Sequence, residues 1–178
     1  MTDNATPAEG AAEQGNQASM LPISVVAQYV KDLSFENPNA PRSLMPSDGQ
    51  PKLDMNVDVA VNLIEGTEDQ FEVVLNITGK ASTGDMVGFV VELAYAGVVQ
   101  LHNVPAEHVN PLVMIQGPHM LFPYARNVIS EVTRDGGFAP LMLNPIDFAA
   151  LYQQRVAQQQ QDAGGVQQVN PAEVETTH

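Results

Sequence analysis

Apolar and polar side chains alternate from Lys52 to Leu63. Leu53, Met55, Val57, Val59, Val61 and Leu63 fall on one side, and Lys52, Asp54, Asn56, Asp58 and Asn62 on the other, with Ala60. A period of two describes a strand with one covered face and one wet face. Glu65-Gly66-Thr67-Glu68-Asp69 has the composition of a turn. Beyond it Phe71, Val73, Leu75 and Ile77 oppose Glu72, Asn76, Thr78 and Lys80. The two runs predict an antiparallel hairpin. A further strand over residues 24–36 turns Leu33 and Phe35 inward and Asp32, Ser34 and Glu36 outward. It ends at Asn37-Pro38-Asn39-Ala40-Pro41, because proline cannot continue a ladder. A fourth, from about Met86 to Leu101, has Val87, Phe89, Val91, Leu93 and Tyr95 as its apolar row and Gly88, Val90, Glu92 and Ala94 as the other.

The second half of the chain changes period. Over residues 121–134, Ala125, Val128, Ile129 and Val132 recur at helical spacing, with Arg126, Asn127, Ser130, Glu131 and Arg134 on the other side. Gly136-Gly137 is a stop signal. Pro123 lies near the start, and Pro118 leaves the first turn open. A second helix is expected from Asn144-Pro145-Ile146-Asp147, with Asn144 as the cap, proline at the first position and Asp147 at the positive end of the dipole. Phe148, Leu151 and Tyr152 follow. Strands followed by helices predict one α+β domain over residues 21–155. Residues 1–20 and 156–178 carry too few large apolar groups to offset their ordering entropy. The first is read as a disordered tail and the second as a flexible, acidic, Gln-rich one.

The charge balance alters this picture. Among 178 residues, 21 are acidic and 7 basic, a formal charge of −14. Such a field repels phosphate backbones, so nucleic acid is not an expected partner. It favours solubility and quick encounter with basic partners. Asp3, Glu9, Glu13, Asp162, Glu173 and Glu175 are the only acids in the terminal segments, so the acidity belongs mainly to the domain. Without cysteine, disulfides and thiolate metal sites are excluded. Residues 1–20 have neither the basic start nor the apolar core of a secretory signal, and no run is apolar and long enough to span a membrane. A cytoplasmic protein with no stable membrane insertion is the expectation.

Three features are candidates for function. His102, Glu107, His108 and His119 are the available acid–base or metal-binding groups. They match no zinc-protease, phosphate-loop, nucleophile-elbow or dinucleotide pattern, and ordinary exposed or satisfied loop histidines are the favoured reading. The outward row of the sheet mixes Asp32, Glu36 and Glu92 with Val90. It is suited to a basic, partly apolar partner, although a polar outer face is also what any half-solvated sheet presents. Phe148, Leu151 and Tyr152 share a helix face that serves either as core or as a groove for extended apolar peptides.

Assembled in order, these segments resemble the SecB family of bacterial protein-export chaperones. Three stretches carry the likeness: Lys31-Asp32-Leu33-Ser34-Phe35-Glu36-Asn37-Pro38-Asn39-Ala40-Pro41, Leu121-Phe122-Pro123-Tyr124-Ala125-Arg126, and Leu143-Asn144-Pro145-Ile146-Asp147-Phe148-Ala149-Ala150-Leu151-Tyr152. The resemblance covers roughly residues 23–155. It implies a four-stranded antiparallel sheet packed with two helices and no enzymatic activity. It implies a homotetramer, a dimer of dimers, with Tyr124, Asn127 and Ser130 at the interface. It implies that the protein holds non-native precursor polypeptides without ATP and delivers them to the translocase ATPase SecA. Asp32, Glu36, Val90 and Glu92 would then dock SecA, and Phe148, Leu151 and Tyr152 would line a client groove. No cofactor or metal is implied for this chain; any zinc would belong to SecA. The stretch from His102 to Pro118 departs from the family pattern and is expected to hold a crossover loop beside the client groove. Beside this reading stand a small acidic enzyme or metal protein built on the histidines, and an adaptor without clients.

Overall fold

The computed structural model describes residues 22–46 and 49–164. Four strands form one sheet: β1 (Ile23–Glu36), β2 (Lys52–Leu63), β3 (Gln70–Thr83) and β4 (Met86–Leu101), in the spatial order β1-β4-β3-β2. All neighbours are antiparallel. The expected hairpin is present, with Val59 across from Leu75 and Val61 across from Val73. The two long central strands carry the densest apolar rows and are buried; β1 and β2 are the edges.

Strand β1 holds two irregularities, between Val25 and Ala27 and between Val30 and Asp32. Each inserts one unpaired residue and reverses which side chains face inward. The second puts Lys31 out of the ladder, so that Leu33 and Phe35 lie on the inner face while Asp32, Ser34 and Glu36 lie on the outer one; Phe35 packs against the core, whereas Leu33 at this edge remains 40% exposed.

Helix α1 (Ala106–Asp135) covers the inner face of the sheet. It starts 15 residues before the position read from periodicity, at 106 rather than 121, and it contains Pro111, Pro118 and Pro123. The stretch expected as a loop is therefore helix from Ala106 onward. Each proline removes one backbone bond, but Val113, Gly117, Pro118, Leu121 and Phe122 are buried against the sheet and its neighbours. Tertiary burial outweighs the local penalty. The close approach depends on two glycines. A Cβ on Gly117 would stand 2.9 Å from Val73, and one on Gly97 would stand 2.5 Å from Leu121.

Gly136-Gly137 ends α1 as expected. Gly137 has a positive φ of 89°. Its amide bonds Arg134 O at 3.0 Å, and the Phe138 amide bonds Thr133 O at 3.1 Å. This is the paired closure of a Schellman end, which needs a residue free to adopt the left-handed conformation. Helix α2 (Phe148–Gly164) starts later than expected, and its cap is Asp147 rather than Asn144. The Asp147 carboxylate accepts the Ala150 amide at 2.9 Å, and the Asp147 carbonyl accepts the Leu151 amide at 3.1 Å. A carboxylate at this position also meets the positive end of the helix dipole. The helix continues past Val156, where the chain's composition turns Gln-rich. The proposed tail residues 1–20 and 165–178 lie outside the described residues.

Candidate functional site

The outer face of the sheet is assembled from alternate residues of all four strands. Glu36 lies across from Val90, Ser34 from Glu92 and Asp32 from Ala94. On the other side of β4, Val90 faces Lys80 and Glu92 faces Thr78; Lys80 in turn faces Asp54 on β2. Thus the four residues singled out on this face, Asp32, Glu36, Val90 and Glu92, form one patch on two adjacent strands. Asp32, Glu36 and Glu92 are exposed and Val90 is half-buried. From strand geometry, Asp32 and Glu36 lie ~13 Å apart along β1, and β4 runs ~5 Å from it. The patch therefore offers three carboxylates around one small apolar group. Lys80, which the sequence reading did not assign, bounds it on the β3 side.

A neighbouring cluster fixes the edge of this face. Lys31 donates to both carboxylate oxygens of Glu72 at 2.8 Å, and the Tyr29 hydroxyl donates to the same group. The Lys31 ammonium, helped by Tyr29, holds the Glu72 carboxyl below its ordinary range. The same bond to Glu72 raises the Tyr29 phenol. The bulge at Lys31 creates this arrangement, because it lets Lys31 reach across β4 to β3 instead of pairing in the ladder.

The apolar residues form two grooves away from that face. One, of about 300 Å³, lies between α2 and β2 and is lined by Phe148, Leu151, Tyr152, Met114 and Val57, with Arg155 at its rim. It contains all three groove residues named from the sequence, in unequal roles. Phe148 is only 3% exposed and its ring stands edge-on to Phe122 at 5.9 Å, so it is floor and core together. Leu151 and Tyr152 are half-buried and line the opening. Arg155 fastens α2 to the edge strand: its guanidinium donates to Val59 O and lies 3.8 Å from the Asp58 carboxylate.

The second groove, of about 480 Å³, was not foreseen. Leu53, Met86, Phe89, Phe138 and Leu141 line it. Its base is a cluster of three rings, with Phe35–Phe89 at 5.6 Å, Phe89–Phe138 at 4.9 Å and Phe35–Phe138 at 6.4 Å. The available signal was Phe138 and Leu141 in the Gly- and Pro-rich stretch after α1, apolar residues with no helix or strand of their own.

Tyr124 and Asn127 point outward from α1, Tyr124 being 51% exposed. Ser130 is half-buried, with its hydroxyl 3.4 Å from the sulfur of Met142. Burial pushes the Tyr95 phenol up, with a smaller contribution from Tyr124.

The histidines do not converge. His102 follows β4, where its Nε2 lies 3.0 Å from Ser24 Oγ and ties the two chain segments together. His108 is in the first turn of α1 and His119 in its middle, both exposed on the helix rather than in loops. Among the described residues no three His, Asp or Glu side chains are grouped to hold a metal. No helix among them is long and apolar enough to cross a membrane.

An antiparallel sheet with one acidic outer face, a helix closing the other face and apolar grooves at its margins defines an α+β binding protein. The preprotein translocase subunit SecB family matches this chain over residues 15–159. A protein-export protein SecB of Rhodopseudomonas palustris strain TIE-1 is 50% identical over 158 residues, covering 89% of this chain and 94% of that protein. Another, from Bartonella bacilliformis, is 48% identical over 148 residues, covering 83% and 92%. In fold, the chain is similar to a SecB-like chaperone of Mycobacterium tuberculosis solved with a peptide of the HigA1 antitoxin. The TM-score is 0.59 at 16% identity, over 70% of this chain and 91% of that one. The chain belongs to the SecB family, and its role is that of a protein-export chaperone.

Proposed function

We propose that this chaperone uses two kinds of surface with different physics. Non-native precursor polypeptides bind along the apolar grooves, the α2–β2 groove with Leu151 and Tyr152 at its mouth and the aromatic groove beside Phe138. Many weak contacts over a long segment give affinity with little sequence preference. Only chains that fold slowly remain open long enough to be held. The acidic patch of Asp32, Glu36, Val90 and Glu92 docks SecA, with opposite charge setting the rate of encounter and its salt dependence. Release follows from handing the client to that partner. The working form is a cytoplasmic homotetramer, a dimer of dimers, in which the outward side of α1 with Tyr124, Asn127 and Ser130 meets a second dimer. Surface binding, without catalysis, is the whole of the activity.

The observation that carries this reading is the separation of the two surfaces. The acids lie on the outer face of β1 and β4, while the grooves lie at the margins of the core, beside α2 and beside the end of α1. A client held in a groove thus leaves the docking patch free. Light scattering of the protein with and without an unfolded precursor tests the assembly and the capture together. The expected result is a tetramer whose mass rises by that of the bound precursor. A monomer that takes up no precursor would contradict the proposal.

A further inference from the structure

Thr133 is the buried polar side chain of the described core, at 0% exposure. Its hydroxyl bonds back into α1, 2.9 Å from the Ile129 carbonyl and 3.1 Å from that of Ser130. A threonine inside a helix commonly makes such bonds, and they contribute little to its stability. A third bond leaves the helix: the Leu141 amide donates to Thr133 Oγ1 at 3.0 Å. The Thr133 carbonyl also accepts the Phe138 amide at 3.1 Å. One residue therefore holds both ends of the segment 138–141. That segment has no regular secondary structure, so its backbone groups depend on bonds of this kind for order. It also lines the aromatic groove, through Phe138 and Leu141, with the Phe138 ring packed on Phe89.

Valine has the shape of threonine and would fit the same space in α1. What it would lack is an acceptor for the Leu141 amide, and a half-buried donor without a partner is costly. The hydroxyl thus serves the wall of the groove. We propose that Thr133 is a positioning residue for client binding: through the Leu141 amide it fixes the 138–141 segment and so the shape of the groove presented to an apolar client side chain. This rests on the reading of the aromatic groove as a client site. A wall already held in place need not be ordered when the client arrives, and this pre-organisation strengthens binding.

The test compares Thr133→Val, Thr133→Ser and Phe138→Ala in the full-length protein. The probe is a labelled polypeptide, reduced and alkylated so that it cannot refold, titrated by fluorescence anisotropy. Amide exchange at Leu141 is followed in parallel. T133V is expected to weaken the probe about tenfold and to accelerate exchange at Leu141, while T133S stays within about twofold of the parent protein. A core variant away from the groove, Val113→Ala, is expected to lower the melting temperature without changing probe affinity. If T133V proves unable to fold, Thr133→Cys, whose thiol is a weak acceptor, takes its place against T133S. Unchanged affinity in T133V while F138A loses binding would overturn the role of Thr133 and leave the groove reading standing. Equal weakening by T133V and T133S would also overturn it, since the hydroxyl would then not be responsible. If F138A binds as well as the parent, the groove reading falls and the inference falls with it.

Discussion

Glu36 and Val90 stand directly opposite each other on β1 and β4. A carboxylate and a small apolar group thus share one site on the outer face, with Glu92 two residues along the same strand. Placing a second acid there, by Val90→Asp, sets like charges directly across a ladder and removes the apolar contact. The expected cost to the fold is small, a fall in Tm of roughly 1–3 °C by calorimetry. Docking of a basic, partly apolar partner is expected to lose much more than stability does. Equal affinity in V90D would show that Val90 takes no part in docking.

The carboxyl of Glu72 is held below its ordinary range by Lys31 and Tyr29. A group whose pKa is lowered by folding stabilises the protein above its unfolded value, and the contribution is lost as pH falls through the lower folded value. Glu72→Gln is therefore expected to be less stable than the parent at neutral pH, by about 1 kcal/mol for a pair whose lysine is open to solvent. The two proteins should converge in acid, below the ordinary carboxylate range. Denaturant titrations at several pH values measure the difference; a gap that stays constant with pH would contradict the assignment.

Gly97 admits the side chain of Leu121, and a Cβ there would come within 2.5 Å of it. Leu121 is 0% exposed, and its terminal methyl groups would have to shift within the packed core. Gly97→Ala is expected to destabilise the fold by about 1–3 kcal/mol, the usual cost of overfilling a packed core. Because the two sites touch, the effects of G97A and Leu121→Ala should not be additive. Additive losses in a double-mutant cycle would mean that α1 shifts as a whole to make space.

Arg155 joins α2 to Val59 and Asp58 of the edge strand. Arg155→Ala should loosen the start of α2 more than the rest of the protein. Hydrogen exchange is expected to quicken over residues 148–155 while Tm falls by only about 1–2 °C, since the bond is partly exposed to water. No change in exchange along α2 would indicate that Phe148 and Leu151 alone hold the helix.

The sheet was legible because alternation at Leu53–Leu63, Phe71–Ile77 and Val87–Tyr95 marks strands, and the pairing follows; on the edge strand β2 only Val57, Val59 and Val61 of the apolar row are covered, while Leu53, Met55 and Leu63 stay exposed. Gly136-Gly137 was legible because only a left-handed residue closes α1 in this way. The start of α1 was hidden by three prolines, whose local penalty is visible in the sequence while the compensating contacts with the sheet are not. Asn144 and Asp147 are both acceptable caps by residue type; the fold selects Asp147 because helical turns begin at Phe148. The outward set Asp32, Ser34 and Glu36 was readable because it lies beyond the second bulge of β1; the bulge itself left no pattern. The aromatic groove was not readable, since Phe35, Phe89 and Phe138 come from β1, β4 and the segment after α1 and meet only in three dimensions.

If docking and holding use separate surfaces, each can be lost without the other. Reversing Asp32 and Glu92 together to Lys leaves both grooves untouched, because the two side chains lie on the outer face of β1 and β4. Binding of the double variant to SecA and to a non-refolding polypeptide, measured side by side at two salt concentrations, separates the two functions. The expected result is at least about a tenfold loss of SecA affinity, larger at low salt than at high, with polypeptide affinity unchanged. Equal loss of both affinities, or full retention of SecA binding, would contradict it.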